Sequence, residues 1–207
     1  APGVNTSEEI KRRDQAQKFF ENMITSIEKN PMDYAQRTNF VQPQPIVSFN
    51  EETGEIVVDD QALSQRMLDS QKISSFYSLP IPKPLLSVEV RALTDGFEMA
   101  DTRGKMQILG VISKFNQAAG QVLTQVSEFD TDMAMLGHLV NEGSTEAVML
   151  ALGGKERMKA GVGPVGATDS NILPVYYKTV GSAITQPSMQ GAVLNVAKMI
   201  YTEQMAR

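Results

Sequence analysis

Three groups of residues have the types that could do chemistry. His138 is the only histidine in 207 residues, and a Ser-His-Asp relay would have to use it. No G-x-S-x-G elbow accompanies it, so an ordinary surface role is the simpler reading. Asp130-Thr-Asp132 pairs two carboxylates that could hold a divalent cation. The remaining EF-hand ligands are missing, and one aspartate capping a helix that restarts near Met133 explains the pair more simply. Gly161-Val-Gly163-Pro-Val-Gly166 spells G-x-G-x-x-G. The dinucleotide fingerprint needs a strand before it and a helix after it. Here helix-like residues 155–159 precede it and Pro164 interrupts it, so it reads as a turn-rich loop. No G-x-x-x-x-G-K-[ST] phosphate loop occurs.

Composition narrows the classes further. The chain has no cysteine, which removes disulfides, thiolate metal sites and cysteine nucleophiles. One histidine cannot build a typical zinc site. Net charge is −5 without a block of five like charges, so charge predicts no phosphate-binding footprint. Glu51, Glu52, Glu55, Asp59 and Asp60 form an acidic patch, either a solvated loop or a dock for a basic partner. No catalytic residue, cofactor or metal is expected. Apolar runs are too short for a membrane span, and the early charges Glu8 to Arg13 do not read as a signal peptide.

The elements that position these residues centre on 108–140. Stepping by four and three, Ile108, Ile112, Phe115, Ala119, Val122, Val126, Phe129, Met133, Leu136 and Val140 are all apolar. No proline interrupts, and one helix of this length would run about 50 Å. Its heptad flanks include Leu109, Val111, Ala118, Leu123 and Leu139, an apolar face too broad for a two-stranded coiled coil and suited to a bundle. The opposite face carries Gln117, Gln121 and Gln125 and is nearly free of charge. That suits contact with another subunit or the wall of a water-filled lumen; the plainer reading is a surface helix poor in charge. Gly110, Gly120 and Gly137 each weaken a helix by roughly 0.5–1 kcal/mol relative to Ala. Packing must offset that, or the helix breaks near one of them.

Upstream, Thr6 and Glu9 have capping-box spacing. Ile10, Ala16, Phe19, Phe20, Met23, Ile24 and Ile27 then predict an amphipathic helix, for a core or a partner groove, ended by Asn30-Pro31. Residues 31–45 read as extended, with polyproline character at Gln42-Pro43-Gln44-Pro45. A β-hairpin is predicted over 45–49 and 55–58, with Gly54 at a left-handed turn position. Asp60 would cap a helix through Tyr77, and Pro80, Pro82 and Pro84 stiffen the next segment. Residues 85–97 fit both strand and helix spacing; Asp95-Gly96 favours a break.

Downstream, Ser144 would cap a helix over 145–152 that stops at Gly153-Gly154. Residues 155–187 read as a long loop of the interface-forming kind, with short strands near 172–177. A last helix begins at Thr185-Gln186-Pro187. Its small residues Gly191 and Ala192 would let another backbone come close, with packing against the central helix expected.

Together these features predict a mainly α fold. It is a helical bundle on a long central helix, with a small β-hairpin and extended proline-rich arms. Residues 1–84 would form the N-terminal helix, hairpin and arm, and 85–207 the helical core. The expected function is a non-enzymatic structural subunit of a large oligomer, in a virion or the cytoplasm. Its partners would be copies of itself and other assembly subunits. No cysteine, extended arms and a neutral helix face favour a virion component, such as a bacteriophage head, tail or DNA-delivery protein. Phe19, Phe20, Met23, Gln117, Gln121 and Gln125 are the candidate interface residues. A cytoplasmic adaptor or assembly chaperone, and a carboxylate-dependent enzyme using Asp130 and Asp132, are the alternatives.

Overall fold

Amphipathic segments broken by short turns must fold back on one another to bury their apolar faces, and the chain does so repeatedly. The computed structural model describes residues 6–161 and 190–207. The tail 1–5, the G-x-G-x-x-G stretch after Gly161, the strands near 172–177 and the start of the last helix at 185–187 lie outside the described residues. Among the described residues are nine α-helices and one two-stranded hairpin. In chain order these are α1 (Ser7–Lys29), α2 (Pro31–Arg37), β1 (Val47–Phe49), β2 (Ile56–Val58) and α3 (Asp60–Tyr77). Next come α4 (Ser87–Met99), α5 (Thr102–Ser113), a 3-10 turn (Asn116–Ala118) and α6 (Ala119–Ser127). Last are α7 (Thr131–Asn141), α8 (Thr145–Lys159) and α9 (Gln190–Ala206). The fold is mainly α with a small hairpin.

The long central helix does not form. The apolar seam is carried instead by α5, α6 and α7. The first break comes at Asn116, whose φ of +53° is left-handed, a conformation asparagine tolerates better than most residues. The second comes at Asp130, which is extended and whose carboxylate accepts from the Met133 N–H at 2.9 Å. That is the restart predicted there. Neither break falls at a glycine. Gly137 explains why: a Cβ there would sit 2.3 Å from Leu123 Cδ2. In one continuous helix those two residues would be about 21 Å apart. Helix α7 therefore doubles back on α6, and the missing Cβ lets it approach. The seam buries itself. Ile112, Phe115, Ala119, Val122, Val126, Met133 and Leu136 are all buried, as are the flanking Leu109, Val111, Ala118, Leu123 and Leu139. Phe129, at the second break, stays 49% exposed.

Glycine also misleads at the next helix. Helix α8 runs straight through Gly153-Gly154 to Lys159, and Ser144 makes no side-chain cap. A Cβ on Gly154 would lie 1.7 Å from the Met199 carbonyl oxygen of α9. These glycines are a crossing point for two helix backbones, not a stop. Helix α9 packs chiefly on α8 and secondarily on α7. Gly191, where a close approach was expected, faces open space.

Segment 31–45 is only partly extended. Pro31 ends α1 and, with its fixed φ, opens α2 as the first helical residue. Helix α4 is continuous through Asp95-Gly96, so 85–97 resolves as helix. Thr6 makes no capping bond, and Asp59 rather than Asp60 caps α3, accepting from Ala62 N–H at 2.9 Å. The hairpin pairs Val47 with Val58, Ser48 with Val57 and Phe49 with Ile56. Its turn places Gly54 at φ +68°, as its position predicted, and β2 rests against α5.

Among the described residues two apolar cores result. The larger joins α4 to α9 with Ile46 and Leu63; the smaller holds Met32, Ala35, Val41, Ile73 and Leu86 beneath α2 and α3. Polar clamps connect them. The Ser87 N–H and hydroxyl donate to the Asp33 carboxylate. Lys83 Nζ donates to Lys29 O and pairs with Glu128.

Candidate interaction surfaces

Helix α1 has acidic residues in its first turn and Lys29 in its last, the charge order that the helix dipole favours. Its apolar positions form one stripe, yet Ile27 is its only buried residue. Helix α2 is seven residues long, about 10 Å, and covers only the C-terminal end of that stripe. There Phe19, Met23, Tyr34 and Arg37 line a shallow groove. Beyond it Phe19 is 66% exposed and Phe20 56% exposed, their rings edge to face at 6.0 Å, and Ile10 and Ile24 are open as well. Among the described residues the stripe enters neither apolar core. Covering each of its large side chains would contribute roughly 1.5–3 kcal/mol.

The three glutamines do not share an outer face, because the seam folds. Gln117 is exposed on the 3-10 turn and Gln121 is half-buried. Gln121 Oε1 is buried without a hydrogen-bond partner among the described residues. Gln125 is buried: its Oε1 accepts from Leu85 N–H at 2.9 Å and its Nε2 donates to Leu85 O at 3.0 Å. It clamps α6 to the segment entering α4 and is not available to another subunit. Its expected interface role is thus corrected to an internal one. The amide fits here because it can both donate and accept, as a peptide group does.

A cleft of about 580 Å³ lies between α4 and the hairpin arm. Ile46 and Ile56 form one wall, Leu86 and Leu93 the other, and Ile108 and Phe115 also line it. Arg66 and Glu89 line it too. Arg66 is 2% exposed; its guanidinium donates to Gln44 O at 2.7 Å, to Pro84 O at 3.1 Å and to both Glu89 oxygens. Glu89 also accepts from Leu86 N–H at 2.8 Å. A desolvated charge is tolerated when it is paired and hydrogen-bonded in this way. The arginine holds three chain segments against one another beside the cleft. Sequence reasoning missed both the cleft and Arg66; the only signal was a charge at a position of α3 flanked by Leu63 and Met67. Exposed Val88 and Met99 extend the apolar surface of α4, and the hairpin carries Glu51, Glu52 and Glu55 at its tip.

The residues singled out for chemistry stand apart. Burial pushes the His138 imidazole below its ordinary pKa, against a smaller opposing pull from Glu142. Asp130 is used as a cap, and Asp132 accepts from Asn195 Nδ2 at 3.4 Å. Neither aspartate lines the cleft. Among the described residues no group of three or more histidines and carboxylates is placed to hold a metal ion, and no helix is long and apolar enough to cross a membrane. No protein-family model matches the chain, and no curated protein or solved structure matches it either.

Proposed function

We propose that the chain is a non-enzymatic structural subunit of a large oligomeric assembly, built from copies of itself and other subunits. The observation that carries the reading is α1: a helix of 23 residues whose Phe19, Phe20 and Ile24 stay exposed among the described residues. Exposed apolar stripes of this kind mark association surfaces. The exposed Phe49 and Val57 of the hairpin and Met99 of α4 add to the surface an assembly would cover. The finer version is a virion component, such as a bacteriophage head, tail or DNA-delivery protein. It draws on the absence of cysteine and on the proline-stiffened segments before the hairpin and between α3 and α4.

Mass in solution tests the reading. At about 100 µM, where a contact of about 5.5 kcal/mol is half formed, light scattering should report a multiple of the 22.7 kDa chain. A single 22.7 kDa species at that concentration would sink it.

A further inference from the structure

We infer that the outer edge of β2 takes up an extended, basic peptide of a partner protein as a third strand. The hairpin register says which backbone groups are on offer. Asn50 N–H donates to Glu55 O and Asp59 N–H to Ile46 O, each at 2.8 Å. In an antiparallel pair, bonded and non-bonded rows alternate. With Ser48 opposite Val57, the bonded rows are 46 with 59, 48 with 57 and 50 with 55. Ile56 and Val58 fall in the other rows, so their N–H and C=O groups point away from β1. Among the described residues the sheet has two strands, and these four groups meet no backbone partner. They border a groove of about 640 Å³ between β2 and α5. All three residues of β2 line it, whereas β1 lends only Val47 to the cleft beside α4. Gly110 lies on the α5 wall, and a Cβ there would meet nothing within 4 Å. No contact among the described residues requires that glycine; its missing side chain widens the groove. A donor and an acceptor repeated at every second residue, about 7 Å apart, match a polypeptide in β conformation, the basis of strand addition.

Charge selects the peptide. Residues 46–65 hold Glu51, Glu52, Glu55, Asp59 and Asp60 and no lysine or arginine. Glu55 precedes β2 and Asp60 follows it; both are exposed and line the groove. Lys114, on the α5 wall, offsets one of the two. Lysines or arginines on the added segment therefore find opposite charge near both ends of β2. A second copy is a poor donor. Two β2 edges paired antiparallel about Val57 would set Glu55 beside Asp59, and like charges opposed on neighbouring strands repel. The extended segments before the hairpin and after α3 bring only Lys83, which is already paired with Glu128.

Titrating the full chain with the labelled peptide Lys-Val-Lys-Val-Lys-Val, read by fluorescence anisotropy, tests the inference. Binding with a Kd below about 1 mM is expected. Residues facing each other across a sheet share a face, so the valines oppose Ile56 and Val58 and turn their N–H groups to the edge. N-methylating those valines should weaken binding about tenfold, the loss of one net hydrogen bond. The Glu-Val counterpart should bind at least as weakly. Gly110→Leu fills the groove and should abolish binding, with a melting midpoint equal to or above that of the wild type. Glu55→Lys with Asp60→Lys should reverse the preference, so that the Glu-Val peptide binds more tightly than the Lys-Val one. No binding of the Lys-Val peptide at about 1 mM would mean that the acidic edge only keeps other strands away, and overturns the inference. Equal binding of the N-methylated peptide, or by Gly110→Leu, would reduce the contact to charge attraction and overturns it too. Self-association that Gly110→Leu abolishes, with no peptide bound, would make the occupant a second copy and likewise overturns it.

Discussion

The two terminal helices of the described chain make an instructive pair. In sequence α1 and α9 look alike: each spaces apolar residues at three and four, Phe20, Met23 and Ile27 in one, Val193, Val196 and Ile200 in the other. In the fold they differ completely. Val193, Val196 and Ile200 are all 0% exposed, whereas α1 buries Ile27 alone. The cause lies in the partner each helix meets. Helix α9 meets α8 at Gly153-Gly154, where missing side chains let the backbones touch along a broad surface. Among the described residues helix α1 packs on the short α2, which runs out after two turns. Apolar periodicity therefore reports that a helix has a face to bury. Whether its own chain buries that face depends on a complementary surface elsewhere.

The largest expected effect tests the pair directly. Ile200→Ala should destabilise the protein by about 2–5 kcal/mol, because it removes methyl groups from a packed core and leaves a cavity. Phe20→Ala removes a larger side chain but should change monomer stability by no more than about 0.5 kcal/mol, as surface substitutions do. Urea titration below the association range would show both. A comparable loss in the two variants would mean that α1 is packed after all.

The next effect concerns the glycines. Gly154→Ala should cost about 1–3 kcal/mol, the usual range for overpacking, because its Cβ meets the Met199 backbone rather than a movable side chain. Gly110→Ala should stabilise by about 0.5–1 kcal/mol, since nothing lies within 4 Å of its added Cβ. The sign change between two helical glycines is the point of the measurement.

These same glycines show how far the sequence could be read. The apolar seam of 108–140 was legible, and its breadth correctly implied a bundle. The folding of that seam was not, because the first break depends on Asn116 taking a left-handed conformation that many other asparagines do not take. The restart at Asp130 was legible because a cap has a local signature. Gly153-Gly154 carried the signature of a stop. Only the arrival of α9, dozens of residues later, turns it into a crossing. Gln125 and Arg66 were illegible for the same reason: their partners, Leu85 and Glu89 with Gln44 and Pro84, lie 18 to 40 residues away. Among the candidate interface residues, Phe19 and Phe20 were singled out through periodicity alone, which could not choose between a core and a partner; the fold leaves both exposed.

The smallest effects are electrostatic, and they probe the anchoring of α9. Two carboxylates serve it with opposite sign. Burial, chiefly, raises the Asp132 pKa; the bond from Asn195 opposes it. Its contribution is therefore complete below the ordinary carboxylate value of about 4 and is lost as pH rises through the folded value. Glu203 is held low, first by its hydrogen bond from Arg157, against its own burial, with Arg207 assisting. Its contribution is present above about 4.3 and is lost as pH falls through its folded value. Acidifying from neutrality should thus first release the Asp132 penalty and then weaken the Glu203 clamp. Asp132→Asn should raise stability slightly at pH 7 and leave it unchanged near pH 3, removing the first limb of the pH curve. Glu203→Gln should lower stability at pH 7 and flatten the second limb. Thermal melts from pH 3 to 7 would resolve the two limbs. Finding both variants destabilised equally at every pH would show that the groups act by shape and not by charge.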